Sequence, residues 1–309
     1  MKRMVFLLFL MFLFIGCGGS SSNEPIMNDS NSSAAVVSDT NGSERKLILD
    51  DNKSVQNEEK TIVELTGFAK IQDLIKKSRD GLLSDVTYIC VGDSTRAKSK
   101  EDQAHKMFER VKATLDTYKV NSILKARGSQ ELSHFLELKL EEGKVRKPTY
   151  RDVILATPGS GATTIVDMAL GINDLWDLNI HTKDDMADAV GIIKDRLLQA
   201  IELIQASKPD INFVLTSPSP LLDWTEGSEI YAQVYKEVSA ELDLPFIDYV
   251  DNIMPPRVQD ENSTSIAFED WYRLEPTKKE PDHRDPIHFS EYGLNKVADY
   301  ILEHILPKD

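Results

Sequence analysis

From about residue 61 onward the chain is predicted to fold as a three-layer αβα sandwich around a central, mainly parallel five-stranded sheet. Three observations predict it. Short apolar runs of strand length alternate along the chain with segments of helical periodicity. The run Tyr88-Ile89-Cys90-Val91 is apolar without interruption, as a strand covered on both faces would be. With 309 residues, 41% of them apolar and 28% charged, the chain has enough material for a sizeable core.

In chain order, the first strand is expected at residues 86–91. Phe108, Val111, Leu115 and Tyr118 recur at intervals of three, four and three, which predicts a helix leading to a second strand at 120–126. Leu132, Phe135 and Leu136 then mark a helix, and a short one is expected at 150–156. The third strand is read at 163–170. Val190, Ile193, Leu197, Ile201 and Ile204 predict a long helix before the fourth strand at 211–216. Ile230, Val234, Val238 and Leu242 repeat every fourth residue ahead of the fifth strand at 244–247. Leu294, Val297, Ile301 and Ile305 form the apolar face of a closing helix, with Ser290 as its N-cap. No internal repeat is visible. In a sheet of this kind the functional residues are expected at the carboxyl ends of the strands.

The first 60 residues read differently. Lys2 and Arg3 precede twelve apolar residues, Met4 to Ile15, which is an export signal (residues 1–16) and too short for the roughly 20 residues of a bilayer span. Phe14-Ile15-Gly16-Cys17 resembles a bacterial lipobox, with Phe14 in place of the usual Leu. That resemblance implies cleavage before Cys17, a lipid on Cys17, and a membrane partner through that anchor. With Gly18 and Gly19 following and no Asp, it implies the outer membrane, facing periplasm or surface. Residues 17–60, rich in Ser, Asn, Asp and Gly, are expected to form a disordered tether. Asp29-Ser30-Asn31-Ser32-Ser33, Asp39-Thr40-Asn41-Gly42-Ser43, Asp50-Asp51-Asn52-Lys53-Ser54 and Asp260-Glu261-Asn262-Ser263-Thr264 each resemble a bacterial N-glycosylation acceptor; chance matches in such a composition are the competing account.

The formal charge of -15 gives no basic footprint for nucleic acid. Of two cysteines, Cys17 is assigned to lipid, so Cys90 is expected as a buried free thiol and no disulfide or cysteine-held metal is expected. No phosphate loop, metal-ligand spacing or dinucleotide fingerprint appears, so no cofactor is expected.

Three short motifs fall where the strand-end rule wants them. Gly92-Asp93-Ser94 ends the first strand, Gly171-Ile172-Asn173-Asp174 follows the third, and Asp285-Pro286-Ile287-His288 is expected in the loop before the closing helix. Each alone is common in caps, turns and loops. A serine becomes nucleophilic when a base takes its proton, and a histidine is suited to do so. Of six histidines, His288 has a carboxylate three residues before it, so that Asp285 could hold one ring nitrogen and leave the other to Ser94. His283, beside Asp282, is the runner-up; His105, His134, His181 and His304 read as solvated or packing residues.

The order and spacing of these motifs resemble the SGNH hydrolases, also called the GDSL esterase/lipase family, over residues 85–307. The resemblance implies a flavodoxin-like fold and a serine ester hydrolase with Ser94, Asp285 and His288 catalytic. It also implies an oxyanion hole from the Ser94 N–H, the Asn173 side chain and a glycine after the second strand. Gly128, which follows residues 120–126, is preferred over Gly161, because Gly161 directly precedes the third strand and so belongs at the wrong edge. Gly159 and Gly161 are read as a turn. Asp93 is expected to order the turn and cap a helix, and Asp174 to anchor the Asn173 loop. Arg96, Trp176 and Trp224 are candidate substrate-binding residues, with a surface ion pair (Arg96) and core packing (both Trp) as the competing readings.

Thr95 replaces the Leu of the GDSL signature, which is similar to carbohydrate acetylesterases of that family. The expected substrate is therefore a short-chain ester, an O-acetyl group on a cell-envelope or extracellular carbohydrate. A glycan O-acyltransferase, a lysophospholipase-type or lipase-type esterase, and a non-catalytic glycan-binding lipoprotein are the alternatives.

Overall fold

The computed structural model describes residues 65–97, 105–136, 150–156, 161–178, 183–222, 225–256, 266–275 and 281–308. The export signal, Cys17, the tether, Gly159, His181, Trp224 and all four glycosylation-like sites lie outside them.

Five strands, β1 (Thr87–Gly92), β2 (Asn121–Ala126), β3 (Thr164–Ala169), β4 (Asn212–Thr216) and β5 (Phe246–Ile247), pair in parallel in the order β2-β1-β3-β4-β5. The expected strands therefore form, each within about two residues of its predicted bounds. The helices are α1 (Gly67–Arg79), α2 (His105–Thr117), α3 (Leu132–Phe135), α4 (Tyr150–Leu155), α5 (Ile172–Asp177), α6 (Lys183–Ser207), α7 (Thr225–Glu241), α8 (Tyr249–Ile253), α9 (Ile266–Glu269) and α10 (Glu291–Ile305). A two-stranded antiparallel ladder, β6 (Tyr272–Leu274) with β7 (Arg284–Phe289), stands apart from the main sheet.

The layers follow from strand periodicity. Side chains alternate across a strand, so Tyr88 and Cys90 enter one core while Ile89 and Val91 enter the other. The first core is closed by Ile71 and Ile75 of α1, Val111 and Leu115 of α2, and Ile301 and Ile305 of α10. The second is closed by Ile193, Leu197 and Ile201 of α6 with Val234 and Val238 of α7. All six residues of β1 are buried, which explains the unbroken apolar run. Ser290 caps α10, its hydroxyl accepting from the Gly293 N–H at 3.3 Å.

Strand order sets where a site can form. Leaving β1, the chain runs outward to β2 and then returns to the far side as β3, so a crevice opens at the carboxyl ends of β1 and β3. Ser94 follows the first of these strands and Asn173 the second.

Two expectations need correction. Asp285 to His288 lie on strand β7, not in a loop, because the alternating Trp271-Tyr272-Arg273-Leu274 supplies a pairing partner. Residues 93–96 form turns, and the next described helix begins at His105, so Asp93 orders a turn and caps no described helix. Helix α1, which packs on α10, has no counterpart among the helices read from the sequence and falls inside the segment expected to fold from about residue 61.

Candidate active site

The site begins with a tight exit from β1. A Cβ at Gly92 would come within 2.6 Å of the Arg96 side chain, so the missing side chain is what lets Arg96 fold back beneath the strand end. Asp93 closes the turn: its Oδ1 accepts from the Thr95 N–H at 2.9 Å and from the Thr95 hydroxyl at 2.7 Å. Burial pushes the Asp93 pKa up, with the Thr95 hydrogen bonds and the nearby Gly171 N–H opposing that shift. Ser94 is thereby held at the apex of a turn that the Asp93–Thr95 hydrogen bonds close.

Arg96 corrects a prediction. It is buried and forms an ion pair at 3.0 Å with Asp167 in the middle of β3, so the ion pair it makes is internal and not at the surface. Asp167 also accepts from the Tyr88 hydroxyl at 2.5 Å and the Thr216 hydroxyl at 2.6 Å. Arg96 Nη1 approaches the Cys90 sulfur at 3.4 Å. Burial pushes the Cys90 thiol up to about 12, which keeps it protonated and inert. This network joins β1, β3 and β4 directly beneath the Ser94 turn. It could have been suspected from a lone Asp in the apolar run of β3, since a buried carboxylate requires partners.

The second loop brings Gly128 to the serine. The Arg127 N–H donates to the Gly92 carbonyl at 3.3 Å, and a Cβ on Gly128 would sit 4.0 Å from Ser94 Cβ. Gly161 lies at the opposite edge, where its added Cβ would meet the Ile211 backbone nitrogen, just before β4, at 3.0 Å.

The third loop opens at Gly171, whose φ of 138° belongs to the region glycine tolerates and L side chains rarely adopt. The same position is closed to any side chain by Tyr231, whose hydroxyl would lie 1.8 Å from an added Cβ. Asn173 Nδ2 donates to the Gln130 carbonyl at 3.0 Å, which uses one of its two hydrogens. Asp174 accepts from the Leu132 N–H at 2.9 Å and pairs with Arg196 at 3.2 Å. Burial pushes the Asp174 carboxyl up to about 7, with the Leu132 N–H and Arg196 opposing that shift. Asn173 and Asp174 therefore fasten α5 to the segment that carries Gly128. Trp176 lies on α5.

The fourth component comes from β7. Asp285 Oδ1 accepts the backbone N–H groups of Ile287 at 2.8 Å and His288 at 3.0 Å, and its Oδ2 meets His288 Nδ1 at 2.8 Å. Burial alone would raise the Asp285 pKa, but the hydrogen bonds from His288 and from those two amides hold it well below the usual carboxylate range. An ionised Asp285 fixes the Nδ1–H tautomer, which leaves Nε2 as the basic nitrogen. The ladder is docked over the end of β4 by the Leu222 N–H to the Pro286 carbonyl at 2.8 Å and by the Tyr272 hydroxyl to the Pro220 carbonyl at 2.8 Å. Thr95 and Phe289, the immediate neighbours of Ser94 and His288, line one small cavity with Arg96, Ser217 and Tyr249. His283 is exposed ahead of β7, while His134 and His304 lie on α3 and α10. Sequence reasoning missed Arg273 of β6, whose Nη2 donates to Asp285 Oδ2 at 2.7 Å and which also pairs with Glu275.

No family model matches the chain, and no curated protein matches its sequence. Solved structures do match. One from Parabacteroides merdae, described as a GDSL-like lipase, superposes with a TM-score of 0.50 at 12% identity, covering 72% of this chain and 97% of that one. A lipase/acylhydrolase from Enterococcus faecalis gives 0.48 at 18% identity over 72% of this chain and 98% of its own. The acetyl xylan esterase AlAXEase gives 0.45 at 18% identity over 71% and 98%. The first of these shows that the chain shares its α/β sandwich fold, the fold that the motif resemblance implies.

Proposed function

We propose that the protein is a serine ester hydrolase of SGNH type that removes O-acetyl or other short acyl groups from a cell-envelope or extracellular carbohydrate. The observation that carries the reading is the Asp285–His288 pair at 2.8 Å, on a strand whose end shares a cavity wall with the Ser94 turn. Gly128 beside Ser94 is what an oxyanion site would need.

In this reading His288 Nε2 takes the Ser94 proton as Oγ attacks the ester carbonyl. The oxyanion is received by the backbone N–H groups of Ser94 and Gly128 and by the second hydrogen of the Asn173 amide. The leaving alcohol takes the proton from His288, and water resolves the acyl-enzyme by the same route in reverse. Asp285 stays ionised throughout and stabilises the imidazolium. Trp176 and Trp224 remain candidates for the carbohydrate side of the site. Anchoring through lipid on Cys17 would hold the site at the bacterial envelope, where acetylated glycan is at hand. The short acyl preference rests on Thr95, whose hydroxyl is turned inward onto Asp93 and so shapes the turn from within.

The test uses the chain lacking its first 17 residues, with acetyl, butyryl and octanoyl nitrophenyl esters and an acetylated glycan. Acetyl should be the best acyl group, and Ser94→Ala or His288→Ala should each lower kcat by about 10³-fold or more. Equal rates in wild type and both variants on every ester would end the enzyme reading. Acyl transfer to an added glycan in place of free acetate would reassign it as an O-acyltransferase.

A further inference from the structure

We propose that Arg273 is a positioning residue of this site: it holds Asp285 against His288 Nδ1 and sets the acid edge of the activity. The inference rests on the serine hydrolase reading above and deepens it.

The argument starts from one oxygen. Asp285 Oδ1 is filled by two backbone N–H groups, so the carboxylate cannot rotate without losing both. Its Oδ2 accepts from His288 Nδ1 at 2.8 Å and from Arg273 Nη2 at 2.7 Å. A guanidinium, always charged, and an imidazole that charges during turnover thus share one acceptor atom. Asp285 is buried, and the Arg273 side chain is 21% exposed, so solvent screens this contact only in part. When His288 takes a proton, its new charge forms beside a permanent cation, with a carboxylate already half committed to that cation. Protonation is therefore less favourable than beside a carboxylate alone, and His288 stays a free base to lower pH.

Among the described residues, Glu275, Arg284, Asp93 and Arg96 do not replace this effect. Glu275, on the same side as Arg273, shares its guanidinium and tempers it. Arg284 of β7 is turned to Asp270 at 3.1 Å and to the Tyr272 carbonyl at 2.9 Å. His283 precedes β7 at the surface, and its carbonyl accepts the Glu275 N–H. The loop after β4 contributes an amide, Leu222 N–H, to Pro286. Asp93 and Arg96 are committed to Thr95 and Asp167 beneath the Ser94 turn.

Two readouts test the proposal. The first is the acid limb of kcat/KM on nitrophenyl acetate for wild type, Arg273→Gln, Arg273→Lys and Glu275→Gln. The second is the titration of His288 followed by NMR on histidine-labelled protein, which needs no activity. Removing the cation in Arg273→Gln should move both the limb and the titration to higher pH by about one unit. Arg273→Lys should stay closer to wild type, and Glu275→Gln should move both to lower pH. If Arg273→Gln lowers rate equally at every pH and leaves the His288 titration in place, Arg273 is only a structural support and the proposal is overturned. If Arg273→Gln does not fold, an unmoved titration in Glu275→Gln overturns it. Should wild type show no esterase activity above Ser94→Ala, the hydrolase reading fails, while the NMR titration still decides the role of Arg273.

Discussion

Tyr231 and Tyr235 sit one helical turn apart on α7, both fully buried, and their hydroxyls are treated in opposite ways. The Tyr235 hydroxyl donates to the Leu170 carbonyl at 2.5 Å and accepts the Leu170 N–H at 3.0 Å, which ties α7 to the end of β3. The Tyr231 hydroxyl has no hydrogen-bond partner among the described residues and presses on the Cα of Gly171. A buried hydroxyl without a partner keeps its desolvation cost, whereas one with two partners offsets it. Tyr235→Phe should therefore cost about 1–2 kcal/mol in urea unfolding, and Tyr231→Phe should fall within about 0.5 kcal/mol of wild type or be more stable. Equal losses in the two variants would mean that ring packing, not the hydroxyls, separates them. In both cases burial pushes the phenol up, so neither titrates near neutral pH and the comparison holds at pH 6 to 8.

Among the described elements, β3 carries a large polar commitment, because Asp167 is fully buried in its centre and Arg96 reaches it from the Ser94 turn. Arg96→Met should cost about 3–5 kcal/mol, since it strands a buried carboxylate beside two hydroxyls. Adding Asp167→Asn should recover more than half of that loss, because the amide needs no counter-charge and still accepts from Tyr88 or Thr216. Urea unfolding of the single and double variants measures both, and a double variant no better than Arg96→Met would remove the ion pair from the account. This network also marks where the sequence stops being legible. The strands could be read because apolar runs of five or six residues between helical repeats admit few other structures. Ser94, Asn173, Asp285 and His288 could be proposed because each follows or borders a motif of fixed spacing. Arg96 could not be placed, since a cation two residues after Ser94 looks the same facing solvent or facing a buried carboxylate 71 residues away. Arg273 was hidden for a similar reason: its partner lies 12 residues on, across a short ladder that the Pro in Asp285-Pro286 argued against.

For the whole molecule, α1 bears on where the folded unit begins more than the sheet does. The chain from Thr61 to Asp309 clusters as one compact unit. Within it Ile71 and Ile75 are fully buried, Leu74 nearly so, Phe68 stacks near His304, and Gln72 Nε2 donates to the His304 carbonyl at 2.8 Å. Fully burying an aliphatic side chain contributes about 1.5–3 kcal/mol. The gross burial gain of α1 is therefore comparable with the roughly 5–15 kcal/mol net stability of a typical domain, before the ordering entropy of the helix is subtracted. If residues 18–60 are the tether expected from their composition, a chain starting at Thr61 should melt within about 2 °C of one starting at Gly18 and hydrolyse nitrophenyl acetate at the same rate. A chain starting at Asp80 should lose cooperative unfolding near room temperature, exposing the face of α10 that α1 covers. The sheet would then have lost support on the layer that holds Tyr88 and Cys90, and activity should fall with it although no site residue was touched. Calorimetry on the three chains decides the matter: if the Thr61 chain melts well below the Gly18 chain, residues before 61 belong to the fold, and if the Asp80 chain melts like the others, α1 is dispensable.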